Sequence, residues 1–155
     1  MTAYPNDPAA WQNFYVMMGG ANAALTGLVF VALSIHLREV LDHPLLKPRA
    51  VIALTVLTTQ IVIAAIVLTP QSAQLMGVEI FLVNAAFLAV DLRQGLSLEI
   101  SRPRLISLVI RLVYIYASLS LIVGLGGGFY VLGFIIVLTL GRTMASAWAL
   151  LTALE

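Results

Sequence analysis

An all-α, polytopic transmembrane bundle is the fold class this sequence predicts, and three observations carry that reading. Hydrophobic residues make up 61% of the chain and charged residues only 10%, whereas an ordinary soluble domain carries about 25% charged residues. A soluble fold of 155 residues could not cover its surface from that supply. The mean hydropathy of +1.04 agrees. The apolar residues also fall in runs of roughly twenty, the length that crosses a hydrocarbon core of about 30 Å as a helix. Closed antiparallel strands are the other spanning architecture, and the runs lack the inside–outside alternation that strands need.

Five spans are predicted, at about residues 10–39, 49–69, 71–93, 103–123 and 128–152. Proline is favoured in a first helical turn, where its missing N–H is not needed. Asp7-Pro8, Lys47-Pro48, Thr69-Pro70 and Arg102-Pro103 each stand just before an apolar run. Asp7 and Thr69 are expected to act as N-caps. The fifth span follows "GLGGG", Gly124 to Gly128, in place of a proline. The opening "MTAYPNDPAAW" lacks the basic segment of a secretory signal, so the first span is expected to stay in the mature protein.

Basic residues set the expected orientation. Arg38, Lys47 and Arg49 lie on the first connection, and Arg93, Arg102 and Arg104 on the third. The N-terminal tail, the "TPQSAQ" turn and the glycine-rich turn carry no Lys or Arg. This pattern predicts an outer N-terminus and a cytoplasmic C-terminus. Tyr4, Trp11, Phe14, Tyr15, Phe129 and Tyr130 are then expected as outer aromatic anchors, with Trp148 near the inner face. Five spans cannot divide into equal inverted halves, which argues against a secondary transporter. The short turns leave no room for an attached soluble domain, so residues 1–155 read as one integral membrane domain.

The formal charge of +1 excludes a strongly basic nucleic-acid surface. With no cysteine, disulfides, thiolate metal sites and thiol nucleophiles are excluded as well. His36 and His43, the only histidines, lie at the cytoplasmic boundary, away from where opposed ligands of a transmembrane haem would stand. With Asp42 alone beside them they do not define a metal site. No serine or threonine has a recognisable histidine base, and no paired carboxylates stand on facing spans. No catalytic residue, cofactor or metal is therefore expected.

Small residues mark the expected packing faces. Gly19, Ala23 and Gly27 recur every four residues, and Gly20, Ala24, Leu28 and Ala32 form the adjacent row. Such rows let another helix backbone approach closely. The alternative, a phosphate-cradling loop, needs spacings that are absent here. Gly133, Gly141, Ala145 and Ala149 form a similar ridge in the last span. Asn22 and Thr26 are expected to add an interhelical hydrogen bond worth about 0.6 kcal/mol.

Intramembrane polar groups form the other candidate set. Glu79 lies about two turns inside the outer end of the third span. It reads either as a proton or cation group or as a hydrogen-bonded or snorkelling carboxyl. Arg111 and Arg142 are expected to snorkel to the cytoplasmic interface, with Asp91 a partner for Arg111. Gln60 and Asn84, near mid-membrane, are expected to hydrogen-bond between helices. Gly77, Asn84 and Asp91 share a face that faces either a subunit interface or the bundle interior.

The stretch "GGANAALTGLVFVALSIHLREVLDHPLLKPRA" resembles a group of small bacterial multipass membrane proteins. Their first helix typically reads like "GASAALTGLLFVALSINL", followed by a short basic loop. The likeness extends to "GVEIFLVNAAFLAVDLR", to the glycine-rich turn and to the "AWALL" ending. Some members are called modulators of the FtsH protease. The resemblance implies a bacterial inner-membrane location and supplies no catalytic residues. A fainter similarity, confined to the first helix, is to Orai calcium channels. This chain departs from them in its expected orientation and in lacking an acidic residue there. The expected function is thus non-enzymatic: contacts between helices within the lipid bilayer, in a homo-oligomer or as accessory subunit of another membrane protein. An oligomeric ion channel or proton conduit is the alternative.

Overall fold

The computed structural model describes the backbone of residues 7–42, 46–95 and 102–152. Within these stretches it describes all side chains except those of residues 39, 46–49, 90–95, 102–105, 107 and 149–152. Among the described residues every regular element is helical. The order is α1 (Pro8–Ile35), α2 (Leu37–Asp42), α3 (Leu46–Leu68), α4 (Ala73–Gly95), α5 (Arg102–Val123) and α6 (Gly128–Thr152). The all-α expectation holds. Among the described residues three helical segments, Pro8–Ile35, Ala50–Leu68 and Gly128–Trp148, are long and apolar enough to cross a membrane. α4 and α5 contribute the shorter apolar stretches Ala73–Ala89 and Leu108–Val123.

The helix ends follow from local chemistry. Pro8 opens α1, and Asp7 caps it by accepting the Ala9 N–H at 3.0 Å. The first span is not one continuous helix, because α1 stops at Ile35 and α2 resumes at Leu37. The ladder is stretched there, with His36 N–H reaching the Ala32 carbonyl at 3.4 Å. Just before the break, the Ser34 hydroxyl donates to the Phe30 carbonyl at 2.8 Å, a back-bond that bends helices. α4 starts later than expected, and its cap is Ser72, whose Oγ accepts the Leu75 N–H at 3.3 Å. Thr69 does not cap α4: its N–H donates to the Ile66 carbonyl at 3.2 Å and tightens the end of α3. The turn after α5 needs left-handed backbone at Gly124, Gly126 and Gly127, with φ of 76°, 84° and 66°. Glycine adopts these angles without a Cβ penalty. The Gly124 and Leu125 N–H groups both close on the Ser120 carbonyl, at 3.0 and 3.2 Å.

The chain divides into two compact units, one of Met1–Gln12 with Ile66–Ile135 and one of Asn13–Ala65 with Ile136–Glu155. In the first, α4 packs antiparallel on α5. A Cβ on Gly77 would stand 2.8 Å from the Ser118 carbonyl oxygen, so the two backbones nearly touch there. In the same register Asn84 faces Arg111 seven residues along each helix. On these two helices Met76, Ile80, Ala117 and Leu121 are fully buried. The start of α6 is equally tight on α5, since a Cβ on Gly128 would lie 2.7 Å from the Ala117 carbonyl oxygen. Trp11 packs edge-on to Tyr130 at 4.7 Å and stacks on Phe129 at 6.2 Å.

The second unit is built from α1, α2, α3 and α6. Gly19 of α1 meets Ala64 of α3, Val29 shares a buried cluster with Leu57 and Ala147, and Leu33 packs on Val40 and Ala50. As numbers rise along α1 they fall along α3, so the two helices are antiparallel. α6 runs with α1.

Two of the expected aromatic anchors are core residues instead: Tyr15 and Phe129 are fully buried. Tyr130 and Trp148 are exposed. Tyr4 lies outside the described residues.

Candidate functional site

Polar side chains gather in three places. In the first unit, Asn84 is fully buried and donates its Nδ2 to the Ile80 carbonyl at 2.9 Å. Its Oδ1 accepts from the Arg111 guanidinium at 3.5 Å, and that guanidinium lies 5.0 Å from the centre of the Phe87 ring. Arg111 is 7% exposed. It therefore does not snorkel as expected; an amide oxygen and an aromatic face on α4 hold its charge within the seam. The Gly77–Asn84 face is bundle interior, packed on α5. The side chains of Asp91, the expected partner of Arg111, and of Ala149 lie outside the described residues, as does His43.

Near the start of α4, the half-buried Glu79 accepts a hydrogen bond from Gln71 Nε2 at 2.8 Å. The same amide nitrogen donates to the Ile66 carbonyl at 3.3 Å. Gln71 also borders a polar recess of about 330 Å³ with Asp7, Gln12, Thr69 and Met76. Glu79 is thus a hydrogen-bonded carboxyl tied to the loop before its helix. Arg142 is exposed on α6.

In the second unit, Asn22, Gln60 and Thr139 are all buried. Gln60 Nε2 donates to the Thr139 hydroxyl, which bridges α3 to α6 as expected of a mid-span glutamine. The expectation for Asn22 and Thr26 fails. Asn22 Nδ2 donates to the Met18 carbonyl at 2.7 Å, and Thr26 Oγ1 to the Asn22 carbonyl at 2.7 Å. Both turn back on their own helix, which short polar side chains do readily in an apolar setting. Thr139 escapes a reading of the sequence because its partner lies 79 residues away. The only available signal was the need of Gln60 for a partner.

The small-residue faces divide. Gly19 is used within the unit, where a Cβ would stand only 3.1 Å from the Ala64 Cβ, and Gly133 is buried. Gly20, Ala23, Ala24 and Gly27 are exposed, with nothing within 4 Å of a Cβ at Gly20 or Gly27. Gly141 and Ala145 are also exposed. They line an almost wholly apolar groove of about 520 Å³ with Leu25, Val29, Leu33 and Trp148.

Among the described residues no three His, Cys, Asp or Glu side chains could together hold a metal ion. No family model, curated protein or solved structure matches the chain.

Proposed function

We propose that this chain is a five-span protein of a bacterial inner membrane, N-terminus outside and C-terminus cytoplasmic, that works through helix–helix contacts and not through catalysis. The observation that carries the proposal is the outward face of α1. Only 11% of its most apolar window is buried, against 39% for α3 and 44% for α6. On a helix at 100° per residue, Gly20, Ala24 and Gly27 point away from buried Tyr15, Met18, Asn22 and Val29, and exposed Ala23 lies on the flank of that ridge. Lipid gains nothing from a smooth Gly/Ala ridge, whereas another helix gains close van der Waals contact along it. The chain is accordingly a homo-oligomer or an accessory subunit of a larger membrane complex. Blue-native electrophoresis of solubilised membranes is expected to give a discrete assembly; a strict monomer with no partner would refute the proposal. A reporter active only in the cytoplasm, fused after Glu155, is expected to be active.

The half-buried Glu79 carboxylate supports a second reading, an oligomeric conduit for ions or protons with Glu79, Asn84 and Gln60 as its polar groups. Liposome flux measurements separate the two. Flux in the parent that Glu79→Gln abolishes favours the conduit, and no flux in the parent removes it.

A further inference from the structure

The polar layer of the second unit has more oxygen than its own donors satisfy. Asn22 is fully buried and Gln60 is 1% exposed. Both carboxamide nitrogens are engaged, by the Met18 carbonyl and the Thr139 hydroxyl respectively. Both carboxamide oxygens, Asn22 Oδ1 and Gln60 Oε1, are buried without a hydrogen-bond partner. Amide oxygens carry substantial negative charge, and leaving one buried without a partner is costly.

The two residues also belong to one level. Gly19 lies against Ala64, and α1 and α3 are antiparallel. Three residues further along α1, Asn22 stands level with Gln60 and Ile61. Thr139 joins that level from α6 through its bond to Gln60. Its hydroxyl proton goes to the Ile136 carbonyl at 3.1 Å, and its oxygen accepts the Gln60 N–H, so it faces the layer as an acceptor. Thr143, one turn on, gives its proton to the Thr139 carbonyl at 2.8 Å.

We infer that Asn22, Gln60 and Thr139 form a binding site for a small dehydrated monovalent cation, of sodium's size. The set is made of hard oxygen donors from three helices, with no nitrogen or sulfur ligand, which suits an alkali cation and not a transition metal. Its oxygens are neutral, and calcium or magnesium sites draw on carboxylates. The Gly19–Ala64 approach keeps the seam between α1 and α3 narrow, favouring sodium or lithium over potassium.

The test is thermal unfolding of the purified full chain in detergent at matched ionic strength. Sodium, lithium, potassium and N-methylglucamine chlorides are compared. A ligand that binds only the folded state raises Tm in a saturable way. Sodium is expected to raise the wild-type Tm by about 3 °C or more over N-methylglucamine. Asn22→Leu, Gln60→Leu and the near-isosteric Thr139→Val are expected to abolish that difference. Should a leucine variant fail to fold, Thr139→Val and broadening of the sodium-23 resonance by wild-type protein still decide the matter. A wild-type Tm indifferent to the cation, with no sodium broadening, would overturn the inference. In that case a trapped water or a direct bond between the two amides satisfies the oxygens.

Discussion

Gly77→Ala adds one methyl group where α4 meets α5. Its Cβ would stand 2.8 Å from the Ser118 carbonyl oxygen, 2.9 Å from Ile122 Cγ1 and 3.0 Å from the Ile122 nitrogen. A carbon–oxygen contact settles at about 3.3 Å or more, so the helices must part by roughly 0.5 Å. Two of the three obstructing atoms are backbone, so no side-chain rotation relieves the clash. Overpacking of this kind costs about 1–3 kcal/mol, and alanine's better helix propensity returns about 0.8–1.0 kcal/mol. The net loss is about 1 kcal/mol, which lowers Tm by about 2–4 °C in a chain of this length. Gly27→Ala makes the same chemical change where nothing lies within 4 Å. Only the propensity gain then remains, so Gly27→Ala is expected to be more stable than the parent. Thermal unfolding of dilute detergent-solubilised protein checks both signs. A Gly77→Ala variant as stable as the parent would refute the close α4–α5 seam.

Three further predictions follow from the other polar contacts. Asn84→Leu and Arg111→Met are each expected to destabilise the fold, and the double variant to lose less than their sum. The coupling expected from such a cycle is about 0.5–3 kcal/mol; additive losses would mean that the Asn84–Arg111 contact carries no energy. Gln71→Leu takes a donor from the Glu79 carboxylate and is expected to cost about 1 kcal/mol, whereas Glu79→Gln keeps an acceptor oxygen in place and should lie closer to the parent by the same unfolding assay. Ser72→Ala removes the cap of α4 and is expected to cost about 1 kcal/mol, while Thr69→Ala should leave that helix end unchanged in hydrogen exchange.

Features written in neighbouring residues were legible in the sequence. Asp7-Pro8 announces a helix start because cap and first turn are adjacent, and "GLGGG" announces a turn because only glycine accepts its backbone angles. Gln60 and Asn84 stood out as polar groups within apolar runs. Their partners did not, because a hydroxyl such as Thr139 looks the same whether it bridges helices or serves its own turn. Thr26, Thr59 and Ser146 do the latter. Arg111 departs from expectation for a related reason: reach alone would let its side chain snorkel, but Phe87 and Asn84 on the facing helix offer a nearer site. The small residues of α1 gave the spacing of a packing ridge without its direction, since the helix is apolar on every side. The fold turns one row inward at Gly19 and leaves the rest facing out.

That outward face is the centre of the proposed function, and the absence of cysteine from the chain gives direct access to it. Single cysteines placed by Gly20→Cys, Ala24→Cys and Gly27→Cys can be oxidised in native membranes, with Leu112→Cys, at an exposed position of α5, as the control. A discrete higher-mass disulfide product is expected at the α1 positions, either with a second copy or with one other membrane protein, and little at Leu112. Unlinked monomer at all three α1 positions, or equal linking at Leu112, would contradict it.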